Sequence, residues 1–478
     1  MSPHRVENGA CESRDRIPPD TAPPRDEGSP LWLAPFEALG SEVALATRSK
    51  DRVVVGVVGC GTVGTGAVQV LLSNAAWIAG RVGAPVVLKS VADIDWTRPR
   101  GFEVPEALRR SDAESVIADP EIDVVVEAIG GVGMAAQVVR AALARGKSVV
   151  TPNKELMAKQ GGELLALASE KGVDLMFEGA VGGGIPIIKP MKESLAGDTI
   201  ERIVGIVNGT TNYILTGMAR ENRDFADALA STQALGYAEA DPTADVEGLD
   251  SLYKIAILAS IAFGSRVSVS DLYHEGITRV TAADIGYARQ LGFAVKLLAI
   301  AARLGGRVDI RVHPAFIPLE HPLASISDVF NGVLVRGRQV GDVMFYGRGA
   351  GQGPTGVAVV GDVVDCARNL LHGAAGRVPC RCGCSLPLLP MEEVVCRNYV
   401  RMRVTDRPGV IGRIATCFGS HGVSLASVFQ PDTEVGPGLA EIVWITHAVQ
   451  ERQMRAALAE IATLPMVNEV ASVIRLEG

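Results

Sequence analysis

Residues 236–254, GYAEADPTADVEGLDSLYK, place five carboxylates (Glu239, Asp241, Asp245, Glu247 and Asp250) within twelve positions. One lysine, Lys254, follows, immediately before an apolar run from Ile255 to Phe263. Like charges at that density repel, so the crowding is costly unless something binds among them. With a helix running from about Gly248, Asp250 and Lys254 stand one turn apart on one face. A helix that apolar is buried, not solvated. The spacing therefore puts a charged pair at the mouth of a buried element, where a ligand would meet it. An ordinary surface ion pair has the same spacing.

A second chemistry-bearing segment comes earlier. Val53 to Val58 is a β-branched run interrupted once by Gly56, as fits a strand covered on both faces. Gly59-Cys60-Gly61-Thr62-Val63-Gly64 follows at once, and then a helical stretch through Leu72. Strand, GxGxxG turn and helix together form a dinucleotide fingerprint, in which bare backbone and a helix N-terminus meet a pyrophosphate. A strand from Pro85 to Ala92 ends in Asp93, where an acid would hold the adenosine ribose. Arg98 and Arg100 stand close enough in sequence to receive a 2′-phosphate, so both NAD and NADP fit this reading. Strands at Val124 to Ala128 and Ser148 to Val150, with a helix from Met134 to Arg145 between them, extend a doubly wound sheet. Its carboxyl edge carries Thr151-Pro152-Asn153-Lys154.

These sites need elements to hold them, and composition bounds what those are. The chain has 478 residues, too many for one core; 47% are hydrophobic, 53 are glycine and only 5% are aromatic, which fits an α/β protein of several domains. A net charge of -8 disfavours nucleic acid or an anionic membrane as the main partner and points to a small molecule. No apolar run is long enough to cross a bilayer and the first residues lack a signal-peptide core, so a cytoplasmic protein is expected. Residues 1–50, rich in proline and charge, read as a disordered tail. Eight cysteines do not make a disulfide framework in so long a chain. Cys380, Cys382 and Cys384 are spaced more tightly than usual zinc ligands, leaving a metal, a disulfide or a reduced mobile linker open.

Three glycine-rich segments, Glu178 to Ile188, Gly205 to Leu215 and Gly347 to Thr355, let backbone crowd a ligand or cation, or simply turn sharply. The last precedes a helical stretch from Val357 to Leu370. From Asn398 to Gly478 the pattern is βαββαβ: strands at Tyr399 to Val404, Val423 to Gln430, Leu439 to Ile445 and Glu469 to Ile474, and helices at Gly409 to Ser420 and Glu451 to Ile461. Asp406-Arg407-Pro408-Gly409 reads as a helix start with Asp406 as its cap, suited to a small carboxylate. The expected organisation is a tail over 1–50 and a dinucleotide-binding domain over 51–177 plus about 341–372. An α+β catalytic and dimerisation domain over 178–340, a linker over 373–396 and a ferredoxin-like domain over 397–478 complete it.

Over roughly residues 52–478 the chain resembles homoserine dehydrogenase of the form with a C-terminal ACT domain. The segments GYAEADPTADVEGLDSLYK, TPNKE, EGAVGGGIPII, GIVNGTTNYIL, VHPAFIPLEHPLA and FYGRGAG carry the likeness, and DRPGVIGRIATCFGSHGVSLASVFQ is similar to the start of an ACT domain. The resemblance implies reduction of L-aspartate 4-semialdehyde to L-homoserine with NADP or NAD. It implies Lys254 as proton donor, Asp250 keeping that lysine charged and aimed, and Lys154 as a second active-site lysine at the nicotinamide edge. Glu239, assisted by Asp245, would hold the substrate amine, and the cofactor would lie on Gly59, Gly61, Thr62, Val63, Gly64, Asp93, Lys154 and Gly351. A monovalent cation such as Na+ would sit on Glu178 and the backbone oxygens of Val181, Gly183 and Ile185. The resemblance also implies threonine as effector and at least a homodimer. Ala92 stands where many members carry an arginine for the 2′-phosphate, which weakens strict NADP use.

Two rivals have different requirements. An aldehyde dehydrogenase needs a cysteine nucleophile, and residues 151–300 contain none. A non-catalytic sensor would lack a proton donor, whereas Lys254, Asp250, Glu239 and Lys154 are all present.

Overall fold

The computed structural model describes residues 50–378, 385–431 and 436–478. The tail read over 1–50, apart from its last residue, and the Cys380, Cys382 and Cys384 segment lie outside the described residues. VVVGVV forms β1 (Val53–Val58) with all six residues buried, as a strand between two helical layers must be. β2 (Val86–Ala92), β3 (Arg109–Arg110), β4 (Val124–Glu127), β5 (Ser148–Val150) and β6 (Leu175–Met176) follow. They form a sheet in the order β3-β2-β1-β4-β5-β6, and every pairing is parallel. The order turns around between β1 and β4, which opens a crevice at their carboxyl ends.

The remaining strands are β7 (Ile200–Ile206), β8 (Tyr273–His274), β9 (Phe293–Leu304), β10 (Arg307–Pro318), β11 (Phe330–Gly337), β12 (Gly341–Arg348), β13 (Val395–Thr405), β14 (Leu425–Phe429), β15 (Leu439–Thr446), β16 (Val449–Gln450) and β17 (Val467–Leu476). They build one mixed sheet along the path β12-β11-β7-β9-β10-β17-β13-β15-β14, with β8 beside β10 and β16 beside β13. The C-terminal βαββαβ unit is therefore no separate bead. Its last strand lies parallel to β10, Ala315 opposite Arg475 and Phe316 opposite Leu476.

The structure refines three of these expectations, one of them a boundary. Residues 341–348, assigned from sequence to the dinucleotide-binding domain, pair with β11 and so belong to the mixed sheet. Only the helix that follows, Gln352–Leu371, reaches back to the parallel-sheet unit. There it crosses the Thr62–Ser73 helix so closely that a Cβ on Gly356 would come within 2.5 Å of the Gly66 backbone. The linker is pinned where described: the Val308 amide donates to Pro387 and the Leu386 amide donates to Ser265 Oγ. Asp406 does not cap the helix Val410–Ser420; the cap is Gly409 at φ +90°, a left-handed angle that favours glycine, and no side chain caps the end.

Buried charges stitch the C-terminal unit to the catalytic sheet. Arg401, 2% exposed, donates to Asp284 at 2.8 Å and to Glu441 at 2.8 Å, while Tyr287 reaches Glu441 at 2.6 Å. Arg475 bridges Glu451 at 2.6 Å and Glu275 at 3.0 Å. Replacing Arg401 with methionine leaves two buried carboxylates without their cation. The expected cost is about 3–5 kcal/mol, read as a lowered midpoint in urea unfolding.

Candidate active site

The glycine turn after β1 divides its labour as a pyrophosphate site demands. Gly59 sits at φ +96°, and a Cβ there would meet the Ala128 backbone at 2.5 Å. A Cβ on Gly64 would strike the Gly59 carbonyl at 2.0 Å, so only glycine lets helix and strand approach this closely, whereas Gly61 faces open space. No side chain caps the Thr62–Ser73 helix, which leaves the N–H groups of Thr62 and Val63 to an anion. The turn fits a dinucleotide.

Asp93 and the two arginines are placed differently from the sequence reading. Asp93 spends one oxygen on the Cys60 amide at 2.8 Å and the other on the Asp95 amide at 3.0 Å. Arg100 is buried, donates to the carbonyls of Cys60, Asp95 and Arg98 and lies over the Trp96 ring. It locks the loop onto the glycine turn and offers no free guanidinium to a 2′-phosphate. Arg98 is exposed and pairs with Asp95 at 3.1 Å. Cys60 is buried with its thiol pushed up by that burial, which disqualifies it as a nucleophile.

At the carboxyl edge a polar chain that sequence reasoning missed fixes the next loops. Buried Glu127 accepts from the Ile129 amide at 2.7 Å and from Thr151 Oγ1 at 2.6 Å. Asn153 donates to the Gly131 carbonyl at 2.6 Å and caps the Lys154–Lys171 helix through the Leu156 amide. Lys154 is thereby held at the first turn of a helix starting at the sheet edge, with its ammonium 2.6 Å from Asp250 of the second unit.

Asp250 is the meeting point. Its carboxylate accepts from Lys254 at 2.7 Å, Lys154 at 2.6 Å and Asn208 at 2.8 Å, and Asn208 also donates to Asp245 at 2.7 Å. Lys254 further donates to the Val207 carbonyl at 2.7 Å. Burial alone would raise the Asp250 pKa, but the two ammonium groups win and hold it well below the usual carboxylate range. For Lys254 the anion favours the charged form, as expected, but the net balance is downward. Burial outweighs the pull of Asp250, and Lys154 repels, so its pKa lies below the ordinary lysine value. Lys154 is half-exposed; burial also works downward there, but Asp250, Asp245 and Glu239 together raise it.

Asp245 is half-buried beside this centre, and exposed Glu239 faces Lys154 closely enough to act on its charge. The other two acids have local duties: Asp241 accepts from the Thr243 amide and hydroxyl, and Glu247 accepts from Thr278 Oγ1 at 3.2 Å. Asn208 could have been found as a helix cap before Gly209, since its Oδ1 accepts from the Thr211 amide at 2.8 Å. Its second duty, joining two carboxylates, has no signal in sequence.

Glu178 is placed otherwise than a simple ion ligand. Its carboxylate accepts from the amides of Ile187 (2.6 Å), Ile188 (2.9 Å) and Lys189 (2.6 Å), and burial raises its pKa. Three of about four lone-pair positions are thus taken. Beside it the backbone turns through left-handed Gly182 and Gly183, while Gly183 lies against the Gly349 carbonyl of the loop that leads to Gly351. Among the described residues the only group of three acids, cysteines or histidines close enough to share a metal ion is Cys417, His421 and Glu460, in the C-terminal unit.

With this geometry in view, likeness to known proteins is extensive. Residues 186–364 match the homoserine dehydrogenase family, residues 59–178 its NAD-binding domain and residues 398–465 the ACT domain. The chain is 47% identical over 432 residues to the homoserine dehydrogenase of Mycobacterium tuberculosis, covering 89% of this chain and 97% of that protein. It is 46% identical over 437 residues to the one from Synechocystis sp., covering 89% and 99%. A crystal structure of a homoserine dehydrogenase from Thiobacillus denitrificans aligns with a TM-score of 0.84 at 40% identity, over 89% of this chain and 98% of that one. A hyperthermophilic archaeal homoserine dehydrogenase in complex with NADPH aligns with a TM-score of 0.56 at 26% identity, over 66% and 97%.

Asp250→Asn removes the anion that holds the Lys254 proton while leaving the burial that expels it. The Lys254 midpoint, followed by acetic anhydride labelling against pH and mass spectrometry, is expected to fall by about one unit or more. An unchanged midpoint would remove Asp250 as the anion that sets this lysine.

Proposed function

The chain belongs to the homoserine dehydrogenase family, and from that premise we infer that it reduces L-aspartate 4-semialdehyde to L-homoserine, reversibly, with a nicotinamide cofactor, on the path to threonine and methionine. The observation that carries the reading is the carboxylate of Asp250 shared by Lys254 and Lys154, one lysine from each unit, at the carboxyl edge of a dinucleotide fold. When bound, the cofactor supplies the hydride.

The chain's own residues do the rest. Hydride addition to an aldehyde builds an alkoxide, and Lys254 is the group assigned to protonate it. A lysine whose pKa burial has lowered is the stronger acid, and Asp250 aims it without neutralising its role. Lys154 is assigned to steady the developing oxyanion from the nicotinamide side. Glu239 and Asp245 would hold the substrate ammonium, which gives the crowded acids their cation. A monovalent cation would take the backbone oxygens of Val181, Gly183 and Ile185 and the position left open on the Glu178 carboxylate, which already accepts three backbone amides.

Arg98 and Arg100, both engaged, give a 2′-phosphate no free guanidinium, which argues against strict NADP use, and we propose that the chain takes either NAD or NADP. The ACT domain supports amino-acid feedback, with threonine proposed as the effector near left-handed Gly409. At the end of the mixed sheet β14 exposes Val428 and Phe429, an apolar edge that supports pairing with a second copy. No helix of the described residues is long and apolar enough to cross a membrane, and we place the enzyme in the cytoplasm.

A steady-state assay of aspartate semialdehyde reduction with NADH and NADPH tests the reading, with kcat/KM ratios expected within about a hundredfold of each other. Lys254→Ala should lose well over about tenfold in kcat with cofactor affinity retained; unchanged turnover removes the acid assignment. Reduction needs protonated Lys254, so its rate should fall as pH rises through that lowered pKa. Homoserine oxidation needs the neutral amine and should rise over the same limb. Threonine should inhibit the parent more than Gly409→Asp, and equal sensitivity would count against that effector site.

A further inference from the structure

The helices Val410–Ser420 and Glu451–Ile461 of the C-terminal unit pack against each other, and three side chains of the kinds that ligate metals meet at their seam. On the first helix Val410, Ile414, Cys417 and Phe418 are buried, the apolar stripe of a helix lying on its sheet. Cys417, reduced and 6% exposed, has its sulfur 4.0 Å from the Ala457 carbonyl of the other helix. His421 follows four residues later, one turn along the same face, at the C-cap. Gln453 of the second helix donates to the His421 carbonyl at 3.3 Å, which holds that helix end against its neighbour. Glu460, in the last turn of the second helix, meets His421 Nε2 at 2.7 Å. A ligand atom from each of the three lies within 4.8 Å of the others.

We propose that the Cys417 sulfur, a His421 ring nitrogen and a Glu460 carboxylate oxygen bind a divalent ion of the zinc class, with water in the fourth tetrahedral place, and that the ion clips the two helices together. The residue types choose the ion. A sulfur and an imidazole are poor partners for calcium or magnesium and good ones for zinc. His421 and Glu460 alone would make an ordinary surface ion pair; the sulfur at the third corner is what such a pair does not need and a zinc ion does. Around zinc these atoms stand about 3.4–3.6 Å apart, so the pair opens by somewhat under about 1 Å and the sulfur closes in. The side chains of His421 and Glu460 are 27% and 54% exposed, free to swing and open to solvent, from which the ion arrives. On ligation the thiol becomes a thiolate and its proton leaves to bulk water. The site is remote in sequence from every group assigned to catalysis, and its residues take no part in holding substrate or cofactor.

The test uses the full chain with Cys380, Cys382 and Cys384 changed to serine, so that no other clustered thiols compete. After dialysis against a chelator, Zn2+ binding is measured by competition with a chromophoric chelator. One equivalent is expected with a dissociation constant below about 10 μM. Cys417→Ser and His421→Ala should each weaken it by about tenfold or more, and His421→Ala, at a partly exposed position, keeps the comparison open if the buried serine variant does not fold. Co2+ in place of Zn2+ should give a thiolate-to-cobalt charge-transfer band that Cys417→Ser or, failing that, His421→Ala abolishes. Zn2+ should also slow amide exchange in both helices. No stoichiometric binding, or equal affinity in the variants, overturns the site and leaves a hydrogen-bonded surface cluster; binding with unchanged exchange overturns the clip. Binding decides the matter whether or not the chain oxidises homoserine.

Discussion

One carboxylate holds this enzyme's two halves in working register. Asp250 is 4% exposed and accepts from a lysine of its own helix, a lysine from the end of the dinucleotide fold and an asparagine that also grips Asp245. A buried anion is tolerable only with such company. The requirement works in both directions: Asp250 stays ionised because two ammonium groups converge on it, and they converge because the anion is there. Any relative displacement of the parallel sheet and the Leu249–Phe263 helix would strip Lys154 from it. Lys154 at the edge of the parallel sheet and Lys254 on the buried helix are thus tied through one carboxylate.

How legible this was varies by element. The VVVGVV strand and the GxGxxG turn were readable because each residue's duty is local: β-branching for a doubly covered strand, bare Cα atoms for a tight turn and close packing. The Asp250 and Lys254 pairing was readable because a helix imposes it at four residues' spacing. Lys154 meeting Asp250 joins positions 96 apart; the resemblance put Lys154 in the active site but did not pair it with this carboxylate. Asn208 and Glu127 share a common reason for escaping notice. Each is an uncharged or single polar residue inside an apolar strand or just beyond one, and only tertiary packing reveals what it faces. For Lys254 spacing shows the anion that favours its charged form and not the burial that outweighs it.

The arginines after β2 carry the same lesson from the opposite side. Proximity in sequence offered Arg98 and Arg100 to a phosphate, yet Arg100 is spent on three main-chain carbonyls. Loops lacking regular hydrogen bonds must satisfy their backbone somehow, and here a guanidinium does it. Charge in a loop is thus as much a mortar for the backbone as a ligand for anions.

The C-terminal unit shares a sheet with the catalytic unit, and this bears on inheritance. A regulatory module hung on a tether can be lost to a premature stop and leave a working enzyme behind. Here the final strand is a neighbour of β10, with Ala315 and Phe316 facing Arg475 and Leu476. Truncation would uncover main-chain groups on a strand interior and leave Asp284 and Tyr287 without Arg401 and Glu441. A lineage carrying this architecture that deleted the unit would have to repair both the uncovered stretch of β10 and the buried charges left behind.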